Sequence, residues 1–279
     1  MSEPTNPQAE PRVLAVVATP IDSVGVSMTS PACASSLSFL TECLPAGTSD
    51  SSVALTAVSL RPACEPPSAQ PAAAGHLEPA EFTRWYGTWD PLDPTTTAEF
   101  MTGFDHPWWI IGGWSIEAFT GVPREHEDMD VSILSSDAER FRLFLGDRWT
   151  PWNIDEGWFR PLDARFSVVR PDSQVWVRRD AYSPWILDVP FTPDTDGRWT
   201  NKRYPVHTED LDDVTWIAPN GLRYSRPEVT LMFKAAQTRE KDRRDAAVTL
   251  PQLDAPARRW LREALARMTP EHRWVRELS

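Results

Sequence analysis

Two aspartates stand two positions apart in the run Arg124-Glu125-His126-Glu127-Asp128-Met129-Asp130-Val131. Met129–Leu134 has the make-up of a strand, so Asp128 and Asp130 fall at its start. Alternate residues of a strand share a face, which sets the two carboxylates side by side. They repel unless a cation lies between them, and hard oxygen ligands suit Mg²⁺. Fifteen residues before Asp128, Gly112-Gly113 follows the apolar run Pro107–Ile111 and precedes a helical pattern over Trp114–Phe119. Glycines at such a strand-to-helix turn let backbone N–H groups approach phosphate oxygens, and the helix N-terminus adds a favourable dipole. An isolated Asp-x-Asp is more often a solvated strand end, and an isolated Gly-Gly more often only a turn. Together, in strand–turn–helix–strand order, they form the minimum set for phosphoryl or nucleotidyl transfer, which works by positioning and charge neutralisation.

A third carboxylate, Asp188, interrupts the apolar run Trp185-Ile186-Leu187-Asp188-Val189. Burying it there is costly unless it is paired or metal-bound, which points to a functional role. The elements that must position these groups follow from periodicity and turn residues. Glu81–Tyr86 and Thr95–Phe104 read as short helices around a turn at Pro91–Pro94, and Gly121 as the stop of the helix after the glycines. Ser136 and Asp137 are candidate caps for a helix over Ala138–Leu145. Gln174–Arg178 and Trp185–Val189 are strand candidates. After the turn signal Pro219-Asn220-Gly221, helices are expected at Arg226–Ala236, Lys241–Val248 and Ala257–Met268. Strands first and helices later give an α+β catalytic domain over residues 82–218, followed by a helical part over 219–279.

Composition sets the first 80 residues apart. They are rich in Ala, Ser and Pro, and Arg12 and Arg61 are their only Arg or Lys. All fourteen Trp lie between Trp85 and Trp274, so the core belongs to the later part. Residues 1–80 are expected to be disordered or loosely structured. Cys33, Cys43 and Cys64 all fall there, an odd number without metal-ligand spacing, which argues against a disulfide framework or a zinc site. Val13–Val17 is too short for a signal-peptide core, and no window approaches a membrane span, so a soluble cytoplasmic protein is expected. A net charge of −12 disfavours nucleic acid as a partner and mildly favours a cationic small molecule.

The stretch Gly112-Gly113-Trp114-Ser115-Ile116-Glu117-Ala118-Phe119-Thr120-Gly121, followed by Arg124-x-His126-x-Asp128-x-Asp130, resembles the signature of aminoglycoside-2''-adenylyltransferase-like proteins of the nucleotidyltransferase superfamily. The similarity continues through Trp185–Val189, Arg226-Pro227-Glu228-Val229 with Lys234, and Lys241-Asp242-x-x-Asp245. The resemblance implies a nucleotidyltransferase fold, a small mixed sheet with flanking helices, and a reaction moving AMP from ATP to a small-molecule hydroxyl with release of pyrophosphate. An aminoglycoside is the expected acceptor, although a metabolite or another antibiotic fits every residue named. Carried over position by position, Gly112 and Gly113 would hold the triphosphate, Asp128 and Asp130 would ligate Mg²⁺, and Asp188 would share a metal or take the acceptor's proton. Arg124, His126 and Lys234 are candidate nucleotide contacts. His126 could instead orient Asp128, and Lys234 could be a surface lysine snorkelling past apolar packing. Lys241–Asp245 reads as an exposed helix start with salt bridges. Ser115 and Glu117 depart mildly from the Ala and Asp more often found in relatives.

Rival readings remain. Asp128-Met129-Asp130-Val131-Ser132 also fits a phosphatase with an aspartyl nucleophile, but that chemistry wants an apolar strand before the motif, and Arg124–Glu127 is polar throughout. A sugar-nucleotide glycosyltransferase uses Asp-x-Asp without an upstream Gly-Gly. A catalytically silent nucleotide-binding relative is the non-enzymatic alternative.

Overall fold

The structure, a computed structural model, describes residues 78–278 other than 156, 157, 168, 237 and 238. The expectation of looseness for residues 1–80 therefore falls almost wholly outside the described residues. Helices α1 (Pro79–Tyr86) and α2 (Pro94–Phe100) lead into strand β1 (Trp108–Ile110), helix α3 (Gly112–Thr120) and strand β2 (Val131–Leu134). Helix α4 (Ala138–Leu145) is followed by β3 (Thr150–Asp155), β4 (Trp158–Pro161), β5 (Gln174–Arg178) and β6 (Leu187–Thr192). Three short strands, β7 (Asp194–Thr195), β8 (Arg198–Thr200) and β9 (Thr208–Glu209), form a small separate sheet. Helix α5 (Leu211–Val214) precedes β10 (Thr215–Ile217) and β11 (Arg223–Ser225), and the chain finishes with α6 (Pro227–Lys234), α7 (Glu240–Thr249), α8 (Ala255–Met268) and α9 (Arg273–Glu277).

The main sheet is mixed, in the order β10-β11-β1-β2-β6-β5-β3-β4. The expected α+β class, a mixed sheet with flanking helices followed by helices, is borne out. The sheet nevertheless continues past residue 219, because β11 pairs parallel with β1 and antiparallel with β10.

Strand alternation decides which residues face which layer. Met129, Val131 and Ile133, with Leu187, Val189 and Phe191 and with Val175 and Val177, bury on one side against Met101, Phe141 and Leu145 of the α2 and α4 regions. The intervening residues Asp130, Ser132, Asp188, Pro190 and Gln174 look the other way and line a cavity. Above that face sits a second cluster in which Trp109, Ile116, Val229, Leu231, Met232, Leu261, Leu265 and Trp274 join α3, α6, α8 and α9. At the far end of the sheet, Arg178 lies between Trp152 and Trp185, 4.9 and 4.1 Å from their ring centroids. The Trp185 indole N–H donates to the Tyr86 carbonyl at 2.6 Å, anchoring the end of α1.

Local chemistry sets the helix ends. Asp93 and Thr96 form a reciprocal capping box at α2. Asp254 caps α8 through Ala257 N–H at 2.8 Å. Gly121 ends α3 in a left-handed conformation, φ 67°, as expected from its position. The proposed capping of α4 does not occur: Ser135–Asp137 forms a 3₁₀ turn, and the Asp137 carboxylate accepts instead from Arg140 at 3.0 Å and lies 3.2 Å from His106.

Candidate active site

Asp130 and Asp188 are partners across the parallel pairing of β2 and β6, and the Asp188 N–H donates to the Met129 carbonyl at 2.9 Å. Residues paired across neighbouring strands point to the same face, so their carboxyl groups share it. Asp128, two residues earlier, lines the same cavity of about 320 Å³. The structure thus brings the three carboxylates singled out in the sequence to one cavity. Burial raises the Asp130 carboxyl to about 7, with the Asp128 charge adding to the effect and Lys234 opposing it. Burial and the Asp130 charge push Asp188 well above the ordinary carboxyl range. Asp188 Oδ2 accepts from the Gln174 amide at 3.4 Å, while Oδ1 is buried without a hydrogen-bond partner. Across the ladder, the Trp176 indole N–H also lacks a partner.

The glycines stand where β1 gives way to α3. Gly112 has φ +67°, and a Cβ there would collide with the Asp130 carboxylate. At Gly113 a Cβ would collide with the Arg124 guanidinium and come within 3.1 Å of His126 Cε1. The first turn of α3 is thus pressed directly against the carboxylates and a guanidinium, which only glycine permits. Ser115 Oγ donates to the Gly112 carbonyl at 2.9 Å and lies 2.8 Å from Thr230 Oγ1, tying the turn to α6. Glu117 Oε2 accepts from the Arg124 backbone N–H at 3.1 Å and lies 2.8 Å from His126 Nε2. The two mild departures from the family pattern are therefore structural contacts of the turn and of the loop behind it.

Arg124 and Lys234 both line the cavity; His126 is not among its lining residues. His126 stacks on Trp114, centroids 3.7 Å apart, and bonds Glu117 rather than Asp128. It is the Trp114 indole that reaches Asp128, donating to its backbone carbonyl at 3.3 Å. Burial holds the His126 imidazole below its usual pKa. Lys234 is not a snorkelling surface lysine: its side chain is 9% exposed, 2.8 Å from Asp242 and 2.9 Å from Asp245. Nor is Lys241–Asp245 merely an exposed helix start. Asp242 and Asp245 are buried, accepting also from Arg239 at 2.7 Å and Arg124 at 3.1 Å respectively. They fall on the inner face of α7, a position that spacing from Lys234 alone does not reveal. Gln174, Thr230, Lys202, Arg203 and Arg239, none of them conspicuous in the sequence, also line the cavity. Their only sequence signal was the alternation that puts Gln174 on the Asp188 face.

This arrangement invites comparison with known proteins. Residues 96–177 match the model of the aminoglycoside-2''-adenylyltransferase family. The resemblance read in the sequence is borne out over that segment, which holds β1, the glycine turn and the Asp-x-Asp pair. The enzyme class expected from the sequence, a nucleotidyltransferase, is that of the adenylyltransferase family matched. No curated protein matches the chain. Among solved structures, the lincosamide antibiotic adenylyltransferase LnuA with lincomycin bound is 17% identical, covering 55% of this chain and 92% of its own at a TM-score of 0.40. The antibiotic-resistance factor ANT(2'')-Ia is 16% identical both in solution, with 62% and 92% covered at 0.39, and in complex with adenylyl-2''-tobramycin, with 60% and 91% covered at 0.38.

Proposed function

We propose that the protein transfers AMP from ATP to a hydroxyl of a small molecule and releases pyrophosphate. The observation that carries this reading is the convergence of Asp128, Asp130 and Asp188 on one cavity beside the first turn of α3. The donor set fits Mg²⁺: hard carboxylates, two of them with raised pKa values, and an orphaned buried oxygen on Asp188. Among the described residues no group of three or more His, Cys, Asp or Glu is placed to hold a metal ion, so in this reading Asp128 and Asp130 would hold Mg²⁺ together with substrate phosphates and water. When bound, the ion supplies charge neutralisation for the phosphates and lowers the pKa of a coordinated hydroxyl.

The chain's own groups divide the remaining work. Asp128 and Asp130 would hold the metal–nucleotide, and Gly112 and Gly113 would give the triphosphate a close approach to the start of α3. Arg124 and Lys234, fixed by Asp245 and Asp242, offer positive charge to the phosphates from beneath. Asp188 takes the proton from the acceptor hydroxyl, whose oxygen then attacks the α-phosphorus as pyrophosphate leaves. The test is mass spectrometry of candidate acceptors after incubation with protein, ATP and Mg²⁺, together with pyrophosphate release. An added AMP mass with matching pyrophosphate supports the reading. Release of inorganic phosphate from a generic ester, with no adduct, favours the phosphatase alternative.

A further inference from the structure

The acids lining the cavity are Asp128, Asp130 and Asp188, and the reaction proposed above uses all three. The cations lining it are Arg124, Lys202, Arg203, Lys234, Arg239 and Lys241. Four of these are ion-paired with acids outside the lining: Arg124, Lys234 and Arg239 with Asp242 and Asp245, and Lys241 with Glu127 at 2.9 Å. Lys202 and Arg203 have no ion pair among the described residues. Both are exposed on the segment after β8, with the Lys202 ammonium 5.7 Å and the Arg203 guanidinium 5.3 Å from the Phe233 ring centroid. Arg203 also donates to the Phe233 carbonyl at 2.8 Å, which fixes it on that wall.

The cations form two banks. The Thr200 N–H donates to the Pro193 carbonyl at 2.9 Å, which ties the segment carrying Lys202 and Arg203 to the end of β6, two strands from the glycine turn after β1, whereas Arg124, Lys234 and Arg239 are held by the acids of α7. The lining around Asp188 is otherwise uncharged, part apolar from Pro190, Pro193, Trp199 and Phe233 and part polar from Gln174, Thr192 and Thr200. A polycationic acceptor entering here would set its ammonium groups beside Lys202 and Arg203, with no spare carboxylate to receive them. The overall charge of −12 does not alter this, since exposed charges beyond about 8 Å are largely screened at physiological salt.

We propose that the acceptor is a hydroxyl compound with an apolar body and an anionic group, a carboxylate or a phosphate, bound by Lys202 and Arg203. This rests on the reading of Asp188 as the group that takes the acceptor's proton. The test uses the full chain with Mg²⁺ and a non-hydrolysable ATP analogue, and compares matched probes. These are para-hydroxymethylbenzoate, its carboxamide, the corresponding benzylamine and the aminoglycoside kanamycin, titrated by calorimetry. The benzoate is expected to bind about tenfold more tightly than the benzylamine, the scale of one exposed ion pair gained and one like-charge contact avoided. Lys202→Glu with Arg203→Glu should reverse that order, and the neutral Lys202→Met should narrow it. Both residues are exposed, so unchanged thermal unfolding of the variants checks that the fold persists. Equal or tighter binding of the benzylamine or kanamycin, binding of none of the four, or an order unchanged in the charge-reversed variant overturns the proposal. The same probes with ATP in place of the analogue separate the two readings. Anion preference in binding without any adenylylated product would sink the transfer reaction and leave the subsite standing.

Discussion

At the level of single residues, the three carboxylates differ in what surrounds them, and so their removal should differ in effect. Asp188 is buried with one oxygen unpartnered, whereas Asp128 is half-buried and its backbone carbonyl accepts from the Trp114 indole. Asp188→Asn is expected to lower kcat by roughly 100-fold to 10,000-fold, the usual contribution of a positioned base, while ATP-analogue binding survives. Asp128→Asn removes a direct ligand of the metal–nucleotide and should weaken Mg²⁺-dependent analogue binding as well as turnover, by at least the roughly tenfold that loss of a mere supporting partner costs. Parallel calorimetry and kinetics check both; near wild-type turnover by Asp188→Asn would return that residue to the role of a buried structural carboxylate. All three carboxylates were legible in the sequence because a charge inside an apolar run, or an Asp-x-Asp at a strand start, conflicts with local pattern. Lys202 and Arg203 were not legible, because a Lys-Arg pair in an irregular segment looks like any solvated surface until the fold turns it toward a cavity.

Among the elements, α3 carries the tightest constraints. Gly113→Ala should raise KM for ATP and lower the melting temperature, because the new methyl displaces the Arg124 guanidinium from Asp245. Gly112→Ala should be worse, meeting the Asp130 carboxylate and adding strain at φ +67°. A steady-state comparison of the two variants, with melting curves, tests this ranking. Helix α6 gives a pH prediction through Glu228, whose side chain is buried in its first turn and whose carboxyl is pushed up by that burial. A raised carboxyl contributes stability that is present below the unfolded value of 4.5 and is lost as pH rises through the folded value. Glu228→Gln should therefore gain in melting temperature on the wild type as pH rises from about 4 to about 8. A gap between the melting temperatures that stays constant with pH would show that burial of this charge carries no cost. Elements with a clean period were readable in advance: α4 and β5 fall at the expected residues, and α8 starts two earlier, at Ala255. Strands β3 and β4 escaped notice because Pro151, Asn153 and Asp155 break the apolar alternation of their hairpin. The strand expected at Trp185–Val189 is displaced to Leu187–Thr192, since Trp185 pairs instead with Trp89.

For the molecule as a whole, the charge network around Asp242 and Asp245 joins the sheet to its helical cover. Asp245, on α7, accepts from Arg124 of the loop leading into β2 and pairs with Lys234 at the end of α6. Asp242 holds the same lysine and Arg239. Through these contacts, the loop ending in Asp128 is fastened to two helices of the C-terminal part, directly beneath the cavity. Replacing one member of a buried pair leaves the others charged in a site built for neutrality, which costs more than the pair itself contributes. Asp245→Ala is therefore expected to destabilise the protein by about 3–5 kcal/mol. Adding Arg124→Met should cost less than the sum of the two single changes, because the guanidinium it removes has already lost its partner. Arg124 also lines the cavity, so the double variant should still bind the ATP analogue poorly even where its melting temperature partly recovers. Denaturant unfolding of the two single variants and the double, each paired with analogue titration, separates the structural role from the binding role. Strict additivity of the unfolding free energies would mean that Arg124 and Asp245 act independently, and the fastening of sheet to helices would have to lie in the apolar contacts of α3, α6 and α8 alone.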